Sequence, residues 1–283
     1  HDWEAVRAVL AAANVLEWNT RPARSLLSPK AKYSFRPITQ VDPLDVLLFS
    51  AMVFEIADDL EARRIPTQPS VVFSYRVSTN EQGQLFDRDI GYRQFLDTCR
   101  TKLGQQGGDA FVATADISDF YSRIYHHRLE NALRAATDKT SHVNSIMGLL
   151  SGWNGTETFG IPVGCAPSRL LAEVAISDVD ELLLGNGVDF LRFNDDYRIF
   201  ASSETEAYKH LVLLAETLNR NHGLSLQSQK TSVYDKDTFN DRFLSTPLDR
   251  EISSLHERFE QLVEELGLDN WYEDIDYDNL TQE

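Results

Sequence analysis

The sequence is poor in cysteine and contains no long apolar run. Its 283 residues include two cysteines, Cys99 and Cys165, which are too few and too far apart for a disulfide framework or a cysteine zinc site. No apolar run approaches the ~20 residues that a membrane-spanning helix needs, and no signal peptide is visible. We therefore expect a cytoplasmic protein in a reducing setting. The first residue is His1 rather than Met, so the start of the native chain stays open.

Basic residues are also scarce. Lys and Arg number 27 against 44 Asp and Glu, which gives a formal net charge of −17. Because contacts to nucleic-acid phosphates need cations, this balance opposes binding by overall charge. Residues 251–283, however, hold eleven acidic residues and one arginine, so much of the excess lies in one segment. Any nucleic acid would therefore have to be bound by local groups of basic residues. The hydrophobic content of 42% fits a folded domain.

Two apolar arms flank a polar centre in residues 190–201, Phe-Leu-Arg-Phe-Asn-Asp-Asp-Tyr-Arg-Ile-Phe-Ala. The pattern predicts a β-hairpin whose turn contains Asn194, Asp195 and Asp196, since Asn and Asp tolerate unusual backbone angles. Two adjacent carboxylates raise each other's pKa unless a cation neutralises them. A hard divalent cation such as Mg²⁺ takes oxygen ligands and would do so. A solvated surface turn is the alternative that this stretch alone leaves open.

A second stretch ends in an acidic residue. Residues 112–116 form an apolar strand that ends in Asp116, and a turn then leads to a helix that begins near Ser122. A carboxylate at the end of a buried strand is costly unless a cation pairs with it. With Asp195 and Asp196, Asp116 would complete a cluster that can hold two metal ions about 4 Å apart for in-line phosphoryl displacement.

Four stretches stand in the order and spacing of reverse-transcriptase palm motifs. They are Asp116-Ile-Ser-Asp-Phe-Tyr121, Gly160-Ile-Pro-Val-Gly-Cys-Ala-Pro-Ser168, Phe193-Asn-Asp-Asp196 and Leu224-Ser-Leu-Gln-Ser-Gln-Lys-Thr231. From about residue 36 to residue 231, the chain resembles an RNA-directed DNA polymerase of the bacterial type. The resemblance implies an α+β fold, a right-hand polymerase core of fingers and palm with an antiparallel palm sheet backed by helices.

The resemblance also implies a metal site and an acid. Asp116, Asp195, Asp196 and the backbone carbonyl of Ile117 would bind two Mg²⁺ ions, or two Mn²⁺ ions in their place. One ion would activate the primer hydroxyl and the other would neutralise the triphosphate. Lys230 stands where related polymerases have a lysine that can protonate the leaving pyrophosphate. An exposed lysine at a strand end is the alternative.

Two groups of residues are implied to bind the incoming dNTP. In the fingers, Arg36 precedes Pro-Ile, as does the arginine that binds the incoming triphosphate in the family. Lys32 and Lys30 are looser candidates for the same role. In the palm, Asp119 and Phe120 would contact the triphosphate through their backbone N–H groups.

Two further residues bear on which nucleotide is used. Tyr121 is the bulky aromatic that blocks a 2′-hydroxyl in reverse transcriptases and so selects deoxynucleotides, with packing in the core as the alternative. Val163 stands where many family members have a glutamine that contacts the nucleotide. Valine makes no such contact, which disfavours ordinary templated copying. The Ile-Pro-Val-Gly variant and the Ser-Arg-Leu-Leu-Ala-Glu stretch at residues 168–173 are similar to the abortive-infection and other phage-defence reverse transcriptases of bacteria.

The resulting prediction is a DNA polymerase of bacterial antiphage defence whose synthesis is untemplated or primed on a protein. Its expected partners are dNTPs and RNA and/or DNA, including a dedicated non-coding RNA, together with further copies of the chain and no membrane. Three alternatives stay open. They are a templated reverse transcriptase copying a dedicated RNA, an RNA polymerase, which Tyr121 opposes, and a non-catalytic binding or assembly module, which the net acidity favours.

The domain organisation follows from the same resemblance. We expect fingers over residues 1–110, a palm over 111–250 and an acidic helical segment over 251–283 that forms a reduced or incomplete thumb. Apolar periodicity predicts single helices over residues 3–18, 42–63 and 168–182, and a strand over 71–77. Arg76 in that strand is expected at the surface or facing nucleic acid, and His126 and His127 at the surface or at a helix cap.

Overall fold

The structure, a computed structural model, describes residues 3–31, 33–68, 70–80 and 83–245. The chain divides into two units, His1–Lys236 and Asp237–Glu283. The predicted acidic segment at 251–283 lies outside the described residues. The domain boundaries expected at residues 110 and 250 stay predictions.

The N-terminal part of the first unit combines short helices with a β-hairpin. Its elements are α1 (Trp3–Ala11), a 3₁₀ turn (Val15–Glu17), β1 (Arg24–Ala31), β2 (Ser34–Gln40), α2 (Pro43–Glu55), α3 (Ala57–Arg63) and α4 (Tyr92–Gln105). The strands β1 and β2 pair antiparallel in a separate two-stranded sheet. The helix expected over 3–18 ends at Ala11, and the one expected over 42–63 is interrupted at Ile56.

The rest of the first unit alternates strands with longer helices. It contains β3 (Phe111–Asp116), α5 (Phe120–Arg123), α6 (His126–Ala136), α7 (Thr140–Asn154), α8 (Ala166–Ala175), α9 (Ser177–Gly185), β4 (Asp189–Phe193), β5 (Asp196–Ala201), α10 (Glu204–His222), a 3₁₀ turn (Ser228–Lys230) and β6 (Ser232–Asp235). The helix expected over 168–182 is interrupted at Ile176, between α8 and α9. Helix α11 (Lys236–Phe239) begins at the last residue of the first unit, and a π-helical turn (Asn240–Leu244) follows it in the second unit.

A four-stranded antiparallel sheet forms the centre of the first unit, with strand order β4-β5-β3-β6. The predicted hairpin is confirmed, with β4 and β5 joined at Asn194 and Asp195. Helix α10 packs on β3 and β5, and α4 packs on β4. Ser203 caps α10 by accepting from the Glu206 N–H, and Gly223 ends it in the left-handed conformation. The expected antiparallel sheet backed by helices is therefore present.

The strand expected over residues 71–77 is wrong. This segment makes two isolated bridges, Val72 parallel to Arg192 and Val77 antiparallel to Phe86. Tyr75 has a φ of 49°, which an extended strand cannot contain, so the chain turns between the two bridges. Within the described ranges, no helix is long and apolar enough to span a membrane.

Candidate active site

Strand pairing places the three predicted carboxylates at one end of the central sheet. Asp116 ends β3 and is paired in register with Asp196, which begins β5. Asp195 immediately precedes that pair in the turn, and its backbone carbonyl accepts from the Ile117 N–H at 3.0 Å. The three aspartates therefore come from two chain segments that the sheet holds side by side.

A cavity of about 380 Å³ opens beside this strand end. The predicted site residues that line it are Asp116, Ile117, Asp119, Phe120, Tyr121, Val163, Asp195 and Lys230. The cavity is also lined by five residues for which the sequence predicts no site role, Phe35, Ser118, Ser122, Asn194 and Gln227. Asp196 is absent from the lining of the described cavity, although it is the register partner of Asp116.

Two cations neutralise two of the aspartates. Lys230 Nζ lies 2.7 Å from Asp116 Oδ2, and Arg198 forms an ion pair with Asp196. Asp195 accepts a hydrogen bond from the side chain of its neighbour, Asn194 Nδ2, at 2.8 Å. Lys230 is half exposed, so it can move away from Asp116 without disturbing the core.

The carboxylates nevertheless remain under electrostatic stress. Burial raises the pKa of Asp195, and the negative charge of Asp116 raises it further. Burial also raises the pKa of Asp196, and the Arg198 guanidinium only partly offsets this effect. Additional positive charge at this strand end would therefore stabilise the ionised forms.

The donor set suits a hard divalent cation. Within residues 3–31, 33–68, 70–80 and 83–245, no three His, Cys, Asp or Glu side chains are close enough together to form a metal site. The three aspartates nevertheless supply carboxylate oxygens at adjacent backbone positions, and the raised pKa values of Asp195 and Asp196 reflect a deficit of positive charge. Oxygen ligands of this kind are those that Mg²⁺ and Mn²⁺ prefer. The residues present therefore fit such an ion, provided that Lys230 moves off Asp116.

Tyr121 lies between the cavity and the hairpin turn. Its hydroxyl donates to Asn194 Oδ1 at 3.0 Å. Burial raises the pKa of Tyr121 far above its ordinary value, so the phenol stays neutral and remains a donor. The ring is thus held in place at the cavity wall. Phe120 packs edge-on against it, with ring centroids 5.4 Å apart.

Asn194 has a larger role than its turn position alone indicates. Its φ of 58° places it in the left-handed region, which Asn tolerates better than most residues. Its backbone N–H donates to Ser74 Oγ at 2.8 Å, and its backbone carbonyl accepts from Arg192 Nη1 at 2.9 Å. Its side chain meanwhile joins Tyr121 to Asp195. No local sequence signal reveals Ser74 as a partner of this turn.

The predicted cations of the fingers are only partly placed. Lys32 lies outside the described residues. Arg36 lies on β2 opposite Ser28, but its side chain and that of Lys30 are outside the described part of the chain. The neighbouring Phe35 lines the cavity, so β2 does pass beside the site. A role for Arg36 or Lys32 in binding a triphosphate stays a prediction.

Two expectations about basic residues are wrong. Arg76 is 3% exposed and pairs with Glu61 at 2.5 Å, so it faces the interior rather than the surface or a nucleic acid. His126 begins α6 but is also buried, and its Nε2 lies 2.7 Å from the Gly160 carbonyl. His126 thus holds the loop that precedes α8, while His127 is exposed as expected.

Comparison with known proteins identifies the architecture. The model of the family "Reverse transcriptase (RNA-dependent DNA polymerase)" matches residues 29–248. No curated protein matches the sequence.

Two solved structures share the fold. One is a telomerase from Candida albicans in complex with a TWJ fragment of telomeric RNA, at 13% identity and a TM-score of 0.51, over 87% of this chain and 47% of that chain. The other is an apo telomerase from Candida tropicalis, at 12% identity and a TM-score of 0.53, over 78% of this chain and 46% of that chain. The present chain therefore spans about half of the length of these telomerase chains.

Proposed function

The chain belongs to the reverse transcriptase family, an RNA-directed DNA polymerase-like group of nucleotidyltransferases, and we propose that Asp116, Asp195 and Asp196 are its catalytic carboxylates. The observation that carries this assignment is the direct pairing of Asp116 with Asp196, beside a cavity that Asp195 lines. In this proposal, residues 1–110 are the fingers and residues 111–250 are the palm, and the substrates are dNTPs added to a primer hydroxyl on nucleic acid or protein.

Reverse transcriptase domains generally use divalent metal ions, typically Mg²⁺. Here Asp116, Asp195, Asp196 and the Ile117 carbonyl would hold them. Bound in pairs, such ions supply Lewis-acid activation of an attacking hydroxyl and charge stabilisation of the triphosphate. The protein supplies the register that keeps the aspartates together, which is positioning rather than covalent chemistry.

The remaining cavity residues have roles in binding and proton transfer. Lys230, freed from Asp116, would donate a proton to the leaving pyrophosphate. Tyr121 would exclude a 2′-hydroxyl, because its ring is held at the cavity wall by Asn194. The backbone at Asp119 and Phe120 would contact the triphosphate. Arg36, which lies on β2, and Lys32 would contact it from the fingers.

We further propose that the enzyme acts in bacterial antiphage defence, by synthesis that is untemplated or primed on a protein hydroxyl. Two features support this. Val163 lines the cavity where a glutamine contacts the nucleotide in many family members, and its isopropyl group offers no hydrogen bond. The Ser168–Glu173 stretch is similar to that of phage-defence members.

The test of the polymerase assignment is incorporation of each labelled dNTP by the purified protein with Mg²⁺, beside an Asp195→Ala/Asp196→Ala double variant. Product from the wild type and none from the variant supports the assignment. No incorporation by the wild type under any condition, together with retained binding of nucleic acid in a gel shift across a salt series, would instead favour the non-catalytic module.

The same reaction separates the modes of synthesis. It is run with and without the nucleic acid that co-purifies with the protein, and the product is sequenced and treated with nuclease or protease. Product that forms without nucleic acid and changes mobility on proteolysis supports untemplated, protein-primed synthesis. A product complementary to a co-purified RNA overturns that proposal in favour of templated copying. Phage plating on cells that carry the wild type or the double variant tests the defence role.

A further inference from the structure

A buried carboxylate, Glu173, is linked to the hairpin turn through hydrogen bonds. Glu173 of α8 is 0% exposed. It accepts hydrogen bonds from Ser74 Oγ at 2.6 Å and Arg64 Nη2 at 2.8 Å, and it pairs with Arg192 Nη2 at 2.9 Å. It lines none of the described cavities, and the proposed mechanism above gives it no role.

The partners of Glu173 hold both backbone polar groups of Asn194. Ser74 Oγ accepts from the Asn194 N–H at 2.8 Å while it donates to Glu173. Arg192 donates to the Asn194 carbonyl at 2.9 Å while it pairs with Glu173. Asn194 directly precedes Asp195, so its backbone orients the Asp195 carboxylate. Glu173 is connected to this backbone through a single intermediate residue, either Ser74 or Arg192.

The same partners hold a second strained residue. Tyr75, like Asn194, has a positive φ without being glycine. Arg64 donates to the carbonyls of Ser74 at 2.8 Å and Tyr75 at 2.9 Å. Backbone strain of this kind persists where surrounding contacts over-determine the conformation, and it concentrates at functional sites. Here the strained turn at Tyr75 presents the Ser74 hydroxyl to Asn194.

The charged side chains of this network are equal in number for the two signs and are buried. Glu173 and Asp180 face Arg64 and Arg192, and each of the four side chains is at most 3% exposed. Packed apolar residues of similar volume are often at least as stable as such a buried group. Stability alone therefore gives no reason for charged residues here, whereas fixing the geometry of a turn does.

We propose that Glu173 is a positioning residue of the active site, which acts through Ser74 to fix the Asn194 turn and thereby the carboxylate of Asp195. The inference rests on the proposed function for its catalytic consequence. Its structural content, the anchoring of the turn, is independent of that function.

The variants that test it are Ser74→Ala and Glu173→Gln, with Ser168→Ala as the matched control. Ser168 is a fully buried serine on the same helix as Glu173, and its hydroxyl has no hydrogen-bond partner among the described residues. Ser168→Ala thus removes a buried hydroxyl without touching the turn. If Glu173→Gln fails to fold, Ser74→Ala still removes the link between Glu173 and Asn194.

The first readout is amide hydrogen exchange of the peptide that covers residues 190–197, in metal-free protein. Ser74→Ala should speed exchange in this peptide about tenfold, the effect of losing one hydrogen bond, while the flanks of the sheet keep their protection. Ser168→Ala should leave the peptide unchanged. Unchanged exchange in Ser74→Ala, or a rise spread evenly over the whole protein, overturns the proposal.

The second readout is steady-state dNTP incorporation. Both test variants should lower kcat about 10- to 100-fold, as outer-shell substitutions typically do, with little change in the KM for dNTP. A rise in KM at unchanged kcat overturns the proposal. If the wild type itself incorporates nothing, the proposed function fails, and the exchange result alone then decides whether Glu173 anchors the turn.

Discussion

Asp116, the last residue of β3, pairs directly with Asp196, the first residue of β5. The pairing places the buried carboxylate of Asp116 beside two aspartates that are adjacent in the sequence, Asp195 and Asp196. Lys230 and Arg198 partly neutralise the group, yet burial keeps the pKa values of Asp195 and Asp196 raised. Holding these carboxylates together lowers the stability of the metal-free fold. The same negative charge makes this strand end well suited to binding cations.

Asp195→Asn should abolish most nucleotide incorporation. The variant keeps the shape of the side chain but removes its charge from the cavity wall. We expect a fall of about 10²- to 10³-fold or more, the range for loss of one preorganised electrostatic group. The matched control is Asp189→Asn at the far end of the hairpin, where the carboxylate pairs with Lys102. Equal losses in the two variants would show that the hairpin, rather than the Asp195 charge, matters.

The same variant should be more stable than the wild type in metal-free buffer at neutral pH. The folded pKa of Asp195 is raised above its ordinary value of 3.8, so the folded protein holds this proton more tightly than the unfolded chain does. The free energy of unfolding therefore falls as pH rises through the interval between the two pKa values, and the loss is complete above the folded one. The neutral amide of the Asp195→Asn variant does not titrate in this range and carries no such loss.

Thermal denaturation from neutral pH down to about pH 4 checks this prediction. The melting temperature of Asp195→Asn should exceed that of the wild type at neutral pH, and the gap should close as pH approaches the ordinary carboxyl pKa. Asp189→Asn serves again as the control and should show no such gap. A wild type that is the more stable protein at neutral pH without metal contradicts the assigned direction of the pKa shift.

The hairpin could be predicted from sequence because its signal is local. Two apolar arms and an Asn-Asp centre are sufficient to place β4, the turn and β5. The same reasoning does not find the breaks at Ile56 and Ile176, because neither position is a proline or glycine. Tertiary packing, which the local pattern does not contain, sets those ends.

The contacts that hold the hairpin turn could not be predicted, because they join segments that are far apart in the sequence. Ser74 and Asn194 are 120 positions apart, and neither carries a pattern that points to the other. The sequence predicts Arg76 at the surface of a strand or facing nucleic acid, yet its side chain is buried and pairs with Glu61. Charged residues that are buried by mutual pairing are invisible to a hydrophobic pattern, and this also applies to Arg192 within an apolar arm.

Tyr121→Ala should relax the choice of sugar. Removing the ring opens the cavity wall where a 2′-hydroxyl would otherwise collide. We expect the ratio of kcat/KM for rNTP to that for dNTP to rise about 10- to 100-fold, the discrimination that steric exclusion typically provides. Tyr121→Phe is the matched control, since it keeps the ring and loses only the hydroxyl, which hydrogen-bonds to Asn194. A similar rise in both variants would assign selectivity to the hydroxyl rather than to the ring.

Lys230→Ala should slow the chemical step about 10²- to 10⁴-fold, the usual contribution of a positioned general acid. Single-turnover incorporation at saturating dNTP measures this step directly. Lys236→Ala is the control, because Lys236 donates to the Gln106 carbonyl at 2.9 Å and contacts no catalytic aspartate. An unchanged single-turnover rate in Lys230→Ala would mean that Lys230 acts only as a counter-ion of Asp116.

Asp180→Asn should destabilise the fold strongly. Asp180 is buried, and it accepts from Arg192 Nε at 2.8 Å and from Nη2 at 2.5 Å. Asparagine would leave Arg192 short of one negative charge in a dry interior. Breaking a buried pair in this way costs about 3–5 kcal/mol.

Differential scanning calorimetry provides the measurement, with Glu130→Gln as the control. Glu130 pairs with Arg134 on the exposed side of α6, so its loss should change the free energy of unfolding by less than about 1 kcal/mol. For a chain of this size, 1 kcal/mol corresponds to about 2–4 °C, so Asp180→Asn should melt at least about 6 °C below the wild type. Equal shifts in the two variants would mean that Glu173 alone balances Arg192, and Asp180 would then be dispensable to the buried network.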